Sequence, residues 1–518
     1  MRLARPISTI FSLQHWVLCV LLVPIGLHAE DRPNILFIFS DDHATQAIST
    51  YGFELGKYAP TPNLDQLADE GMRFDRCMVT NSICGPSRAT ILTGKYSHLN
   101  GFYYNEDTQF DGSQVTFPKL LRKAGYQTSV IGKWHLGSVP TGFDHWEVLP
   151  GQGLYYRPIF RTPQGNVTEN GYVTDVITDK AIDWLEHERN PDQPFLLMVQ
   201  HKAPHREWSP PVNYLNLFKD VEFPEPTTLF DDYAGRGTAA RDQDMSIAQT
   251  LEADKDLKVA APAPKNILQK RVLSRLEPKQ TKAWVQMLEE RRDEFNHSGL
   301  KGDALVRWKY QIYMRDYLSC IRSLDDNIGR LTEYLKASGL DENTIVIYSS
   351  DQGFYLGEHG WFDKRFMYDE SYRTPLLVKW PGVVKAQSVN SDLVSNLDFA
   401  QTFLEIAGAP DAKEMQGQSL VSILKGNTPD SWRKVHYYHY YEYPGWHMVH
   451  RHEGVYDGRY KLIHFYDLDE WELMDLETDP HELTSQYHNP DYETVVSRMK
   501  SALEDMKLNY QVPDYIPA

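Results

Sequence analysis

Asn34-Ile35-Leu36-Phe37-Ile38-Phe39-Ser40-Asp41-Asp42 runs through five consecutive large apolar residues and stops abruptly at three polar ones. An apolar run of that length without alternation is the pattern of a strand buried on both faces, as in a parallel sheet covered by helices. Gln127 to Ile131, Phe195 to Val199 and Thr344 to Tyr348 share this texture, and Leu376 to Val378 adds a further strand. Helical patterns lie between them. Thr61-Pro62-Asn63-Leu64 offers a cap and an early proline, with Gly71 as the stop. Phe117 to Ala124 ends at Gly125, and Phe399 to Ala407 ends at Gly408. Val173, Ile177, Ala181 and Trp184/Leu185 recur at helical spacing, as do Tyr313, Tyr317, Ile321, Leu324, Ile328, Leu331 and Leu335. This alternation predicts an α/β fold: a large doubly wound mixed sheet flanked by helices, over residues 30–410.

Beyond that point the texture changes. His436 to Tyr443, Gly454 to Val455 and Tyr460 to Phe465 read as antiparallel strands, and Tyr492 to Met506 as a final helix. Residues 411–518 therefore read as a small C-terminal α+β subdomain with an antiparallel sheet. Asn213 to Ala304, charged and proline-containing with one helix around Ala283 to Phe295, reads as an insertion over the core.

The 518 residues suffice for one large core plus a smaller domain, and 41% apolar residues with 31 Tyr indicate a globular chain. A net charge of −18 argues against nucleic acid as a partner. It does not exclude an anionic substrate, because a few cations inside a pocket set the local potential. Arg2 and Arg5, the largely apolar stretch from Trp16 to Leu27, and Leu27-His28-Ala29 fit a signal peptide over residues 1–29. An uncleaved anchor is the alternative reading. After cleavage no integral membrane span is expected, which places the protein in the periplasm or outside the cell. Cys77, Cys84 and Cys320 would remain, too few for a disulfide scaffold.

Ligands of open parallel sheets bind beyond the carboxyl ends of the strands. Four polar clusters occupy such ends here: Asp41-Asp42, Lys133-Trp134-His135, His201 to His205, and Asp351-Gln352. An Asp-Asp pair alone is more often a cap or a solvated turn. Asp41 and Asp42 beside Asp351 would repel one another severely unless a cation holds them. Oxygen donors, the Gln352 carbonyl included, select a hard ion, Ca²⁺ or Mg²⁺.

The remaining landmark is Ser82-Ile83-Cys84-Gly85-Pro86-Ser87-Arg88-Ala89-Thr90-Ile91-Leu92-Thr93-Gly94-Lys95. Pro86 suits the first position of a helix and Gly94 the position just past its end. Cys84 would then sit just before a helix N-terminus, where an ordinary thiol becomes a thiolate. Arg88, four residues on, lies one turn away and can point back toward it.

This string closely resembles the signature of the formylglycine-dependent sulfatases. The resemblance implies that Cys84 is oxidised to formylglycine by a maturation enzyme, and that the hydrated aldehyde is the nucleophile. It implies a divalent ion, usually Ca²⁺ with Mg²⁺ as the alternative, held by Asp41, Asp42, residue 84, Asp351 and Gln352. Gln352 stands where the family more often has Asn. Gly132-Lys133-Trp134-His135-Leu136-Gly137 and Asp363-Lys364-Arg365 look like the family's sulfate-binding segments. The resemblance therefore gives Lys133 and Lys364 the sulfate oxygens, and Arg88 a place beside the nucleophile. It makes His205 the acid for the leaving sugar oxygen and His135 the base that releases sulfate. Asp351 would help deprotonate the attacking hydroxyl. Phe354 to Arg373 looks most like glycan sulfatases, especially N-acetylglucosamine-6-sulfatases, and Glu472 to Pro480 is similar to the closing segment of their C-terminal subdomain. His201, Arg365, His447 and Arg451 are the expected contacts to the sugar, although each also reads as an ordinary structural residue. The function implied is removal of sulfate from a sulfated carbohydrate. A phosphonate monoester hydrolase or phosphodiesterase of the same superfamily is the rival enzyme, and a catalytically dead glycan binder the rival outside catalysis.

Overall fold

A computed structural model describes residues 1, 32–106, 108–410 and 412–513. Apart from Met1, the expected leader lies outside the described residues. Strand β1 (Asn34–Ser40) is central to an eleven-stranded mixed sheet. It pairs in parallel with β7 (Phe195–Gln200) on one side and β8 (Thr344–Ser350) on the other, Ile35 standing opposite Leu196 and Ile345. Ile35, Phe37 and Phe39 face one core, Leu36 and Ile38 the other, and all five are buried. Both faces are dry, which is why the run does not alternate. Each such side chain contributes roughly 1.5–3 kcal/mol by leaving water.

Outward from β7 come β3 (Gln127–Lys133) and β4 (His145–Leu149), both parallel. An antiparallel edge follows, β5 (Ile159–Thr162) and β6 (Gly165–Thr168). A separate antiparallel pair, β9 (Tyr355–Leu356) and β10 (Phe362–Asp363), follows β8 in the chain, and outward from β8 in the sheet comes β11 (Arg373–Lys379), antiparallel to both β8 and β2 (Met72–Met78). Two short strands, β12 (Ser388–Asn390) and β13 (Val394–Ser395), line β2 in parallel. Helices 62–69, 173–183 and 302–337 pack on the Leu36 face. Helices 84–93, 117–123 and 399–407 pack on the Phe37 face. The expected doubly wound mixed sheet is the observed one.

The C-terminal sheet has four strands, β14 (His436–Tyr440), β15 (His452–Tyr456), β16 (Tyr460–Phe465) and β17 (Glu470–Asp475), all antiparallel. Helix 493–509 covers one face through Met499 and Leu503. The helix expected around residues 283–295 spans Pro278–Ser298, because Glu277 and Gln280 form a capping box upstream of the apolar pattern. Trp284, Met287 and Leu288 anchor it to the main core. Cys77 and Cys320 are free thiols in cores on opposite faces of the sheet. Among the described residues no helix is long and apolar enough to cross a membrane.

One expectation about the helix carrying Cys84 is corrected. It starts at Cys84, not at Pro86: Ile83 is the extended flanking residue, and Pro86 is third in the helix. A proline is tolerated there because first-turn N–H groups have no intrahelical partner. Gly94 closes the helix with φ +60°, as expected.

Candidate active site

Parallel strands that start together also end together, so β1, β3, β7 and β8 deliver the four polar clusters to one edge of the sheet. Gly132 allows the closest of these approaches. At φ +115° a Cβ there would lie 1.9 Å from the Gln200 carbonyl oxygen, so no side chain fits between β3 and β7. Lys133 and Gln200 then both reach Arg88, the Lys133 carbonyl at 2.9 Å and the Gln200 side-chain oxygen at 3.1 Å.

At the floor lie three fully buried carboxylates, Asp41, Asp42 and Asp351, with oxygens within 4.8 Å of one another. Three buried cations face them. Lys133 donates to Asp41 and, at 2.6 Å, to Gln152. Arg88 donates to Asp351 Oδ2 at 3.0 and 3.2 Å and lies 3.7 Å from Asp41. Lys364 donates to both oxygens of Asp42, at 2.7 and 2.8 Å. The Gln352 amide donates to Asp42. Three cations face three carboxyl groups, so burial is tolerable only for the set together.

The carboxylates titrate differently. Burial pushes Asp41 up, but Lys133, His205 and Arg88 outweigh it and hold that carboxyl well below the usual range. Burial raises Asp42 to about 6, against the pull of Lys364. Burial, then the charge of Asp41, raises Asp351 to about 7 despite Arg88. Asp41 Oδ1 and Gln352 Oε1 are buried without a hydrogen-bond partner among the described residues. Orphaned buried oxygens cost about 1–3 kcal/mol each. An all-oxygen donor set with two unsatisfied members, placed among mutually repelling carboxylates, fits a hard divalent cation.

Cys84 is buried at the start of its helix, and its sulfur, an Asp41 oxygen and a His205 ring nitrogen lie within 4.8 Å of one another. Burial raises the thiol well above its ordinary range, with Lys364 and Lys133 offsetting only part. Against the expected activated thiolate, desolvation favours the protonated form of an unmodified Cys84. Asn105 accepts the Gly85 N–H at 2.8 Å and fixes the loop above this helix.

His205 Nδ1 faces the Arg206 carbonyl at 2.5 Å, leaving Nε2 3.8 Å from Asp42. Burial first, then Lys133, keeps both His205 and His135 well below the ordinary imidazole range. His135 has φ +54° and lines a cleft of about 590 Å³ with Asn105, Trp134 and Arg161. Beside Lys364 a second group assembles. Asp363 pairs with Arg365 and, at 3.3 Å, with His447 Nε2. Asp42, His135, Asp363, Arg365 and His447 all have positive φ, a concentration of backbone strain in side-chain-bearing residues that marks a built site.

Two further expected contacts make no side-chain hydrogen bond to the clustered residues among the described residues. Arg451 forks onto Asp467 at 2.8 and 3.0 Å, at the rim of the C-terminal sheet. His201 is buried with no hydrogen-bond partner on either ring nitrogen among the described residues, and burial lowers it to about 3. Conversely, Asp363, Asn105 and Gln152 join the site without having been singled out. Only Asp363 left a trace in the sequence, as the acid beside two adjacent cations.

The sulfatase family matches residues 33–409, and the family described as N-sulphoglucosamine sulphohydrolase, C-terminal, matches residues 357–509. An N-acetylglucosamine-6-O-sulfatase of Bacteroides thetaiotaomicron is 50% identical over 493 residues, 93% of this chain and 88% of its own. The N-acetylglucosamine-6-sulfatase of Homo sapiens is 28% identical over 431 residues, 78% of this chain and 66% of its own. A solved structure of a protein in complex with its substrate D-glucosamine-2-N,6-O-disulfate superimposes with a TM-score of 0.91 at 49% identity, covering 93% of this chain and 99% of that one. The chain thus belongs to the sulfatase family and is a sulfuric ester hydrolase.

Proposed function

We propose that the protein removes the 6-O-sulfate of a glucosamine-type unit in a sulfated glycan, after export to the periplasm or beyond. The observation that carries the substrate class is the 50% identity, over 93% of the chain, with an N-acetylglucosamine-6-O-sulfatase. The signal-peptide pattern over residues 1–29 supports export. On this reading residues 30–410 are the catalytic unit, and 411–518 are the subdomain that brings His447 to its edge.

Asp41, Asp42, Asp351 and Gln352, with residue 84, would hold the divalent ion, Ca²⁺ by donor type. Bound there, it would offset the carboxylates and polarise a sulfate oxygen. Cys84, converted by a formylglycine-generating enzyme, would supply a hydrated aldehyde, a nucleophile that carries its own release step.

The other steps belong to side chains already in place. Lys133 and Lys364 bind the sulfate oxygens and offset charge that grows in the transition state. Arg88 orients Asp351, and Asp351 takes the proton of the attacking hydroxyl. His205 donates a proton from Nε2 to the leaving sugar oxygen, since its Nδ1 is tied to the Arg206 carbonyl. Burial and the lysines disfavour that proton in the free enzyme, and an entering sulfate dianion or monoester anion reverses the balance. His135, on the cleft side, takes the proton whose loss expels sulfate. Asp363, Arg365 and His447 would hold the sugar hydroxyls.

The test is turnover of 6-O-sulfated N-acetylglucosamine against an aryl phosphonate monoester and a phosphate diester. Sulfate release should win by on the order of 100-fold or more in kcat/KM. Equal or faster phosphorus chemistry would overturn the assignment in favour of the phosphonate hydrolase reading.

A further inference from the structure

Trp446 is 57% exposed, and among the described residues it is the one tryptophan left open to solvent. Large aromatic rings are normally covered, and an open indole held in a fixed pose has the character of a binding surface. Three connections tie it to the residues around Cys84. Its indole N–H donates to Glu106, which follows Asn105, the residue that accepts the N–H of Gly85. Lys255 places its ammonium nitrogen 5.8 Å from the ring centroid, and the next residue, Asp256, accepts from Arg206 at 2.8 Å, beside His205. On the chain itself, Trp446 precedes His447, which contacts Asp363 next to Lys364.

The backbone reinforces this placement. His447 and Met448 have φ +72° and +50°, and the His447 carbonyl accepts from Asp244 N at 2.7 Å. The turn is therefore held through its own backbone as well as through the indole. Glu106 fixes one edge of the indole and Lys255 sits over one face, so the ring is preorganised without being buried.

We propose that Trp446 is a stacking platform for a second sugar ring, the one joined to the sulfated unit when that unit fills the pocket. The proposal rests on the glycan-sulfatase reading above. It makes the natural substrate an oligosaccharide: the pocket reads the sulfated ring, and the indole face reads its neighbour through apolar C–H faces that any pyranose presents.

The experiment compares 6-O-sulfated N-acetylglucosamine as the free monosaccharide with defined di- and trisaccharides containing it, using the matured, metal-loaded enzyme. With the trisaccharide, Trp446→Ala should raise KM about tenfold at nearly constant kcat, while the loss on the monosaccharide stays within about twofold. Trp446→Phe should restore most of the trisaccharide affinity. Calorimetric binding of the trisaccharide to a Cys84→Ala protein, with and without Trp446→Ala, should show the same tenfold difference. Equal losses on mono- and trisaccharide, or no loss on either, overturn the platform while leaving the sulfatase reading intact. Wild-type enzyme that releases sulfate from none of the three overturns both.

Discussion

Lys364 brings its ammonium nitrogen to 2.7 and 2.8 Å from the two oxygens of Asp42, across 322 residues of chain, with both side chains buried. The pair places a fixed cation beside the proposed metal ligand and beside Cys84 at once. Lys364→Ala should lower kcat by about 10²–10³-fold, the usual cost of removing one preorganised charge from a transition state. It also strands a buried carboxylate, worth about 3–5 kcal/mol. The two effects separate with Ca²⁺. Added ion should restore most of the thermal midpoint and little of the turnover, whereas recovery of both would make Lys364 merely structural.

Cys84 sits where burial keeps a thiol protonated, so the unmodified side chain is a poor nucleophile. Activity should therefore scale with the fraction of residue 84 converted to aldehyde. Peptide mass spectrometry after hydrazide labelling measures that fraction, and alkylation measures the remaining thiol. Cys84→Ala should fold, at a cost of about 1 kcal/mol, and lose turnover by on the order of 10⁴-fold or more. A fully active preparation in which Cys84 alkylates quantitatively would end the aldehyde proposal.

Asp41, Asp42 and Asp351 lie close together, and among the described residues Arg88, Lys133 and Lys364 supply the cations paired with them. Chelation should lower both the thermal midpoint and turnover, and Ca²⁺ should return both. At 100 times its dissociation constant the ion would add about 2.7 kcal/mol of stability. Gln352→Leu removes one oxygen donor and should weaken Ca²⁺ roughly tenfold or more, read by titration of the thermal midpoint. An unchanged midpoint on chelation and re-addition would count against an ion at these residues.

Strand ends were legible because each is a local pattern with a single physical meaning, and the family was legible through the resemblance carried by the segment around Cys84. Five apolar residues followed by Ser-Asp-Asp can hardly be anything but a buried strand that delivers carboxylates. The elements that escaped are those whose pattern is set by distant partners. Met72–Met78 mixes Arg and Asp among apolar residues and becomes a strand only through β11 and the short strands beyond it. Glu470–Asp475 looked like a motif rather than a strand because its pairing with β16 is what orders it. Asn105 and Gln152 sit on loops with no periodicity, and their roles arise from where the loops cross the site. Volume is no better guide than periodicity: a cavity of about 870 Å³ lined by Phe53, Arg76, Glu358, Arg373 and Tyr456 includes none of the clustered site residues.

His452 is buried in β15 between Tyr438, Phe366 and Phe465, and both ring nitrogens are committed. Nδ1 faces the His450 carbonyl at 2.8 Å and must donate, while Nε2 accepts the Met367 N–H at 3.2 Å. Only the neutral ring satisfies both, and burial lowers its pKa from 6.5 to about 4. The unfolded chain binds this proton more tightly than the folded one. The stabilisation is thus complete above pH 6.5 and disappears as the pH falls through 4, worth about 3 kcal/mol across that window. His452→Gln can donate and accept like the neutral ring but cannot titrate. Its thermal midpoint should lie below that of the wild type at pH 7, and the gap should close as the pH is lowered to 4.5. A gap that stays constant would mean that His452 is not the group whose protonation unlocks the C-terminal sheet.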